Sequence, residues 1–233
     1  MTDIIKLEVI GRVAKIVMDE GENRFNAESV AGHHKAMDAI EADDVIKAVV
    51  ITGAHPKYFC NGLDLERLVA LKPDELRKFI PSFALMLERW AIFPKPVVAA
   101  INGHAFAGGA MLAACTDFRI MNAKRGWLCT PEVDINLPFW PGMIALLKSG
   151  FPPGTWRDMA LTGKRLTATE LLEIGFLTEA CEPEEVLPKS MALAEELADK
   201  NPAAYAEIKR RMKADIVKVM REQDSEYFPK VNF

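Results

Sequence analysis

Two short apolar runs constrain the fold of this chain more than any other feature of its sequence. Ala48–Thr52 ends at Gly53, and Val97–Ile101 follows Pro94-Lys95-Pro96. Short runs without polar alternation are typical of strands that are buried on both faces of a parallel sheet. Helical patterns separate the two runs, as crossover connections between parallel strands require. The sequence therefore predicts an α/β fold with largely parallel connections.

Residue spacing predicts the elements around these two runs. The other predicted strands are the hairpin partners Ile4–Val9 and Val13–Met18, joined at Gly11-Arg12, and Phe118–Met121. The predicted helices are one capped by Asn26, one from about Asp74 to Trp90 and one over Gly108–Cys115. Because helical patterns dominate from about Thr155, we place a boundary near Glu184. It divides a core over residues 1–184 from a helical tail over residues 185–233.

Composition and charge exclude several classes of protein. The chain has 233 residues, of which 50% are hydrophobic, enough for one sizeable core with an appendage. A net charge of −4 provides no field that would attract nucleic acid or an anionic membrane. No apolar run approaches the ~20 residues that span a bilayer. We therefore expect neither a nucleic-acid partner nor a membrane partner.

The cysteines and the chain ends indicate a compartment. The 4 cysteines are widely spaced and include no CxxC pair, which favours reduced thiols. Met1–Lys6 has no signal-peptide pattern, and Val231–Phe233 is not a peroxisomal Ser-Lys-Leu address. These features predict a soluble, cytoplasmic protein.

Common cofactor and catalytic motifs are missing from the sequence. There is no G-x-G-x-x-G, no G-x-x-x-x-G-K-[ST] and no G-x-S-x-G, which argues against a dinucleotide site, a P-loop and a serine hydrolase. The 4 histidines show no metal-ligand spacing, so we expect no metal site. His33-His34 and His104 are expected to have packing or surface roles.

Two glycine-marked segments instead indicate that backbone groups bind a ligand. Phe59–Leu65 and Asn102–Met111 each follow a buried strand and lead into a helix. Gly62 allows a backbone turn that is closed to other residues, and Asp64 is suited to cap the next helix. Gly108-Gly109 begins a helix, whose free N–H groups favour an anion. For either segment alone, an ordinary strand–loop–helix junction or close helix packing is the alternative interpretation.

Together, about 45 residues apart, the two segments resemble the crotonase superfamily, that is, the enoyl-CoA hydratase/isomerase family. The resemblance extends over nearly the whole chain. It includes Asn23-Arg24-Phe25-Asn26, Lys95–Gly103, Thr162–Ala168 and Glu173–Thr178. It implies a crotonase-like spiral of ββα units with a C-terminal helical region that covers the core and contributes to trimerisation. The implied assembly is a trimer or a dimer of trimers.

The resemblance also implies a site. The backbone N–H groups of Leu63 and Gly108 would form an oxyanion hole for the enolate of an acyl-CoA thioester. Coenzyme A would be part of the substrate, and no separate cofactor is expected. Hydratases of this family typically carry two glutamates, but here the first of those positions is Met111 and the second is Glu132. One carboxylate suits a 1,3-proton shift, so we predict a Δ3,Δ2-enoyl-CoA isomerase of fatty acid β-oxidation, with Glu132 as the proton shuttle.

Further residues are predicted to contact the substrate. Leu137-Pro138-Phe139-Trp140 resembles the Pro-Phe-Trp stretch of mitochondrial Δ3,Δ2-enoyl-CoA isomerases. An apolar wall of Met111, Leu137, Phe139 and Trp140 would raise the pKa of Glu132 and exclude water. Arg24 and Lys57 are candidates for binding the coenzyme A phosphates, with surface charge as the alternative. The other predicted substrate-binding residues are Asn61, Gly62, Asp64, Leu65 and Gly109. For Asp134 we expect a structural role.

Several alternatives stay open. The nearest is an enoyl-CoA hydratase, which Met111 disfavours because only one carboxylate would be left to activate water. Another is a CoA-thioester hydrolase, decarboxylase or dehalogenase on the same scaffold. The third is a silent acyl-CoA-binding or scaffolding relative, although such a protein would be free to lose Glu132 and Gly108-Gly109.

Overall fold

The computed structural model describes residues 4–228, which form nine strands in two sheets together with ten helices. The strands are β1 (Ile5–Ile10), β2 (Val13–Met18), β3 (Ala48–Gly53), β4 (Tyr58–Cys60), β5 (Val97–Ile101), β6 (His104–Phe106), β7 (Phe118–Asn122), β8 (Leu128–Cys129) and β9 (Glu179–Cys181). The chain-end segments Met1–Asp3 and Val231–Phe233, which entered the prediction of compartment, lie outside the described residues.

The helices are interspersed with the strands up to β9, and the described helices beyond it follow one another. They are α1 (Ala27–Ala42), α2 (Leu65–Val69), α3 (Pro73–Ala91), α4 (Gly108–Cys115), α5 (Pro141–Gly150), α6 (Pro153–Thr162), α7 (Ala168–Glu173), α8 (Val186–Leu197), α9 (Pro202–Met212) and α10 (Ala214–Tyr227). Single 3₁₀ turns occur at Glu132–Ile135 and Pro183–Glu185.

The larger sheet has six strands in the order β1-β2-β3-β5-β7-β9. Strands β1 and β2 form the predicted antiparallel hairpin, which turns at Gly11 with φ +61°. Every other pair in this sheet is parallel. The prediction of an α/β fold with largely parallel connections is confirmed.

Both faces of this sheet are covered, which explains why β3 and β5 have no polar alternation. Val49 and Ile51 of β3 face the main core, to which α1, α3 and α4 contribute buried apolar side chains. Val50, with Val98 of β5, faces a second cluster that contains α8 residues, among them Leu197. Each face therefore needs apolar residues, and the two sets interleave into continuous apolar runs.

The segment beyond residue 184 packs on the rest of the chain at several points. Helix α8 covers one face of the six-stranded sheet, and α10 packs along α5 and α3. The division into a core over residues 1–184 and a tail over residues 185–233 stays a prediction.

A second sheet of three short strands, β4-β6-β8, was not predicted from the sequence. Its strands have 3, 3 and 2 residues, too few for a periodic pattern to show. All pairs in it are parallel, so the carboxyl ends of the three strands lie at one edge.

The described residues also bear on the membrane, metal and thiol expectations. Between residues 4 and 228, no helix is both long and apolar enough to cross a membrane. In the same range, no group of three or more His, Cys, Asp or Glu side chains is arranged to hold a metal ion. All four cysteines are buried and free.

Candidate active site

Three chain segments meet at the carboxyl edge of the small sheet. Strand β4 continues into Asn61-Gly62-Leu63, β6 into Ala107-Gly108, and β8 into Thr130-Pro131-Glu132. The strand register pairs Cys60 with Ala105 and Phe106 with Cys129, and the Ala107 N–H donates to the Cys129 carbonyl at 2.9 Å. Parallel pairing therefore gathers segments that lie up to about 70 residues apart in the sequence.

The two glycine-marked segments are in direct contact. Gly62 has φ +80°, a backbone conformation that residues other than glycine rarely adopt. A Cβ atom at Gly62 would lie 2.7 Å from the Ala107 Cβ and 3.3 Å from the Gly108 nitrogen. The turn after β4 therefore reaches the start of α4 only because residue 62 has no side chain.

The Leu63 N–H is oriented by a hydrogen bond to the preceding carbonyl. The Phe25 N–H donates to the Gly62 carbonyl at 2.7 Å, and the Asp64 N–H donates to the Phe25 carbonyl at 2.9 Å. In a trans peptide the C=O and the next N–H point in opposite directions. The N–H of Leu63 therefore points away from Phe25, and it has no acceptor among residues 4–228.

The second free N–H belongs to Gly108, the first residue of α4. Its position at the helix N-terminus leaves this N–H without an intrahelical acceptor and adds the positive end of the helix dipole. The preceding residue, Ala107, has φ +48°, an unfavourable conformation for alanine of the kind that clusters at functional sites. A Cβ at Gly108 would lie 3.1 Å from the rings of Phe25 and Phe83.

Gly109 has a packing function of its own. A Cβ there would lie 2.2 Å from the Cys60 carbonyl oxygen, so only glycine lets α4 approach β4 this closely. Close helix packing, the alternative interpretation of the second segment, thus accounts for Gly109.

Glu132 begins the 3₁₀ turn that follows β8. Its side chain is buried, with 5% exposure, and the Oε2 atom has no hydrogen-bond partner among the described residues. Burial raises the pKa of Glu132 to about 7, although its own backbone N–H lowers the pKa in part. A buried carboxyl with a free oxygen and a pKa near neutrality is suited to accept and return a proton.

The residues predicted as an apolar wall are largely withdrawn from water. Met111 is fully buried in α4, and Trp140 is 5% exposed at the start of α5. Leu137 and Phe139 are half-buried. Trp140 packs edge-on against Phe83 at 6.0 Å between ring centroids, and Phe83 in turn borders Gly108.

Polar contacts hold the residues around Leu63. Asn61 donates from Nδ2 to Glu22 at 2.6 Å, and Asp64 caps α2 by accepting from the Arg67 N–H at 3.3 Å. Leu65 is the first residue of α2 and is 36% exposed.

The two predicted phosphate-binding cations occupy different places. Arg24 lies beside the Leu63 turn and pairs with Glu22 at 2.6 Å. Lys57 precedes β4, at the amino end of the small sheet, and its Nζ lies 5.2 Å from the centre of the Tyr58 ring. The structure therefore brings Arg24, but not the backbone of Lys57, to the edge where the three segments meet.

His104 and Asp134 have contacts that are structural. The His104 Nδ1 accepts the Trp127 N–H at 3.1 Å. The pKa of His104 is lowered, mainly by burial and to a smaller extent by the nearby cations Lys57, Arg165 and Arg125. The exposed Asp134 carboxylate lies against Gly163, where a Cβ would meet its Oδ2 at 2.3 Å.

Two residues of this region received no role from the sequence. Asn23 has φ +56° and donates from Nδ2 to the Tyr58 and Phe59 carbonyls at 3.2 and 3.0 Å. Glu22 accepts the hydrogen bonds of Asn61 and Arg24. The local signal is Gly21-Glu22-Asn23, a turn-like run. Nothing in that run indicates that its partner lies almost 40 residues later.

Comparison with known proteins gives the class to which this fold and site belong. The sequence profile of the enoyl-CoA hydratase/isomerase family matches residues 8–229, and the chain therefore belongs to that family, within the crotonase superfamily. The resemblance inferred from the motifs is confirmed, and so is the crotonase-like fold. The family acts on small-molecule CoA thioesters.

Individual relatives carry different reaction names. Enoyl-CoA delta isomerase 3 of Arabidopsis thaliana is 30% identical over 86% of this chain and 88% of its own length. Carnitinyl-CoA dehydratase of Salmonella arizonae is 30% identical over 90% of this chain and 80% of its own length.

Solved structures give the same picture. One protein of Mycobacterium tuberculosis is described as an enoyl-CoA isomerase in one solved structure and as a probable enoyl-CoA hydratase in another. The first of these structures superposes with a TM-score of 0.87 at 28% identity, over 95% of this chain and 96% of that one. An enoyl-CoA hydratase of Mycobacterium marinum superposes with a TM-score of 0.86 at 28% identity, over 94% and 96%. Similarity thus extends to isomerases, hydratases and a dehydratase, and the choice of reaction has to come from side chains.

Proposed function

We propose that this protein is a Δ3,Δ2-enoyl-CoA isomerase in which Glu132 moves the proton. The observation that carries the proposal is the buried Glu132 carboxyl with its unpartnered Oε2 and a pKa of about 7. Glu22, another acid beside the Leu63 turn, is engaged by Asn61 and Arg24, and Asp64 caps α2. Met111 stands in α4 where a hydratase of this family would carry its first glutamate.

In the proposed mechanism the thioester oxygen accepts hydrogen bonds from the N–H groups of Leu63 and Gly108. The ionised Glu132 removes a proton from C2 of a 3-enoyl-CoA, and the electron pair is delocalised onto the thioester oxygen as an enolate. The C–C double bond then forms between C2 and C3 while C4 takes the proton back from Glu132. The product is the 2-trans-enoyl-CoA, and no water or cofactor is consumed.

Backbone donors suit this enolate because they are fixed before the charge develops. Losing one such donor typically costs about 3–4 kcal/mol of transition-state stabilisation. Mutation of Leu63 would not remove its donor, since the donor is a main-chain group. A larger residue at Gly108 would instead meet the Phe25 and Phe83 rings.

The test is the turnover of 3-hexenoyl-CoA by Glu132→Gln. Glutamine keeps the shape of glutamate but cannot take up the proton, so kcat should fall by about 10²–10⁴-fold. The matched control is Asp134→Asn, which removes an exposed carboxylate two residues away and should leave kcat within about twofold. Wild-type turnover in Glu132→Gln would rule out the assignment.

Enoyl-CoA hydration is the second candidate, because hydratases are among the similar structures. Loss of the crotonyl-CoA absorbance, measured beside isomerase turnover, separates the two reactions. With Met111 in α4, we expect isomerisation to exceed hydration. Thioester hydrolysis or decarboxylation would appear as other product masses when a panel of acyl-CoA esters is incubated with the protein.

The remaining parts of the proposal concern the setting of the enzyme. We propose that it acts in fatty acid β-oxidation in the cytoplasm, as a homotrimer or a dimer of trimers. It would bind acyl-CoA without a metal or a separate cofactor. Light scattering coupled to gel filtration measures the assembly. A flat binding isotherm for acyl-CoA would favour a silent scaffolding protein instead.

A further inference from the structure

The turn that carries Leu63 is clamped by residues 20–25. The Asn61 N–H donates to the Glu22 carbonyl at 3.1 Å, and the Phe25 N–H donates to the Gly62 carbonyl at 2.7 Å. Asn23 holds the last residues of β4 through the Tyr58 and Phe59 carbonyls. Of the five peptide groups between Tyr58 and Leu63, all except the one between Asn61 and Gly62 are therefore hydrogen-bonded to this segment.

One side chain fixes the middle of the clamp by charge. A single oxygen of Glu22, Oε2, accepts from the Asn61 Nδ2 and from the Arg24 guanidinium, both at 2.6 Å. Burial favours the neutral acid, but the hydrogen bonds from Asn61 and Arg24, together with the positive charge of Arg24, outweigh it and lower the pKa of Glu22. The carboxylate is therefore charged at neutral pH, and charge-assisted hydrogen bonds are stronger than neutral ones.

Asn61 is thus tied to Glu22 at two points, its backbone N–H and its side-chain amide. This fixes the residue immediately before the Gly62–Leu63 peptide. Since Gly62 has φ +80° and no side chain, the peptide that follows can rotate unless its neighbours are held. The Glu22 carboxylate supplies that restraint on one side, and the Phe25 N–H supplies it on the other.

We propose that Glu22 is a positioning residue for the oxyanion hole, acting through Asn61 to aim the Leu63 N–H at the thioester oxygen. This inference rests on the proposed function, because it assigns to Leu63 the role of an oxyanion donor. Glu22 does not touch the substrate. Its role is to keep a main-chain donor within the narrow range of geometry in which an oxyanion is stabilised.

The experiment compares Glu22→Gln with the wild type. Glutamine keeps the size of the side chain and one acceptor oxygen, but it loses the charge that serves Asn61 and Arg24 together. We expect kcat on 3-hexenoyl-CoA to fall about 10-fold, while the Kd for butyryl-CoA changes by less than about threefold. The matched control is Glu8→Gln, which removes another paired surface carboxylate, the partner of Lys15 at 2.6 Å, on strand β1.

A spectroscopic measurement separates positioning from a general structural effect. Isotope-edited infrared difference spectra of bound butyryl-CoA, labelled with ¹³C at the thioester carbonyl, report how strongly the donors polarise that bond. In the wild type the carbonyl stretch should move to lower frequency on binding. In Glu22→Gln this displacement should shrink, and in Glu8→Gln it should not.

The double variant Glu22→Gln/Asn61→Ala tests whether Glu22 acts through Asn61. The effects of substituting residues in one hydrogen-bond network are not additive. The double variant should therefore lose about as much kcat as the more severe single variant. Fully additive losses would overturn the route through Asn61. The positioning role would be overturned altogether if Glu22→Gln had the same kcat as the wild type and the same displacement of the carbonyl frequency on binding.

The proposed function fails in a different way. If butyryl-CoA binds to the wild type without any displacement of its carbonyl frequency, no oxyanion hole is formed and both proposals fall. If the displacement is present in the wild type and in Glu22→Gln alike, only the role of Glu22 is lost.

Discussion

At the scale of single residues, the proposed chemistry depends on how water is kept from Glu132. A solvated glutamate is almost fully ionised at neutral pH and is a weak base. At 5% exposure the charged form of Glu132 loses hydration, and the pKa rises to about 7. Base strength and ionised fraction are then both useful near neutral pH.

The pH dependence of turnover follows from this pKa. Glu132 has to be ionised to remove a proton, so kcat/KM on 3-hexenoyl-CoA should rise about tenfold per pH unit below about 7 and level off above it. The Asp134→Asn control should show the same profile. A kcat/KM that stays flat on both sides of neutrality would exclude Glu132 as the base.

The same burial has a consequence for stability. Because the pKa of Glu132 in the folded state is raised from 4.5 to about 7, the folded state keeps the proton up to a higher pH than the unfolded state does. The stability that Glu132 contributes is therefore fully present below pH 4.5 and is lost as pH rises through about 7. The proposed catalytic carboxyl is therefore maintained at a cost in stability near neutral pH.

At the scale of elements, helix α5 is capped from a distant part of the chain. It begins with Trp140 as an N-cap residue that makes no side-chain hydrogen bond. The Gly142 N–H is instead accepted by Oδ1 of Asp224 in α10 at 2.7 Å. Asp224 is 1% exposed, and its Oδ2 has no partner among the described residues. The start of α5, where Trp140 of the predicted apolar wall lies, is thus positioned by α10.

We expect the substitution Asp224→Asn to stabilise the protein in alkaline solution. Burial raises the pKa of Asp224 to about 6, despite the Gly142 hydrogen bond and with a smaller contribution from Glu88. Its contribution to stability is fully present below pH 3.8 and is lost as pH rises through about 6. Asparagine keeps the acceptor for Gly142 without a charge, so the free energy of unfolding at pH near 8 should increase by about 1–3 kcal/mol.

Urea denaturation near pH 8 and near pH 5 measures this effect. The gain should shrink at the lower pH, where Asp224 itself is largely protonated. The exposed Glu222→Gln on the same helix is the control and should change little at either pH. A loss of stability near pH 8 would mean that the charge at the N-terminus of α5 is favourable overall.

At the scale of the whole molecule, a buried ion pair joins the C-terminal helices to the strands. The Lys209 side chain in α9 is 5% exposed and lies 2.5 Å from Oδ2 of Asp117, which precedes β7. Lys209 also donates to the Lys95 carbonyl at 2.9 Å, and Asp117 accepts the Val97 N–H at 2.8 Å. Residues on both sides of position 184 therefore share one polar cluster.

Removing the cation should destabilise the whole chain. Lys209→Met removes the paired cation from the largely withdrawn Asp117 carboxylate, and breaking such a pair typically costs about 3–5 kcal/mol. Urea unfolding followed by tryptophan fluorescence and by circular dichroism should give one coincident, shifted transition. The control Lys218→Met, on the exposed face of α10, should shift it by less than about 0.5 kcal/mol. Two separate transitions would instead support the predicted division at residue 184.

The fold class, the main elements and the residue types of the site could be predicted from the amino-acid sequence. Strands β3 and β5 were readable because both of their faces are buried, and α3 because its apolar stripe repeats at helical spacing. Gly62 was readable because few residues other than glycine tolerate its backbone conformation. Such features are local, because each depends on residues within a single strand, turn or helix.

How these residues come together depends on long-range contacts that the sequence does not show. The strands β4, β6 and β8 are too short to leave a periodic pattern, and their pairing joins segments far apart in the chain. The burial that raises the pKa of Glu132 and the bond from Glu22 to Asn61 are likewise made by neighbours that are distant in sequence. A sequence records which groups are available. Long-range packing decides which of them lose water and which way a main-chain N–H points.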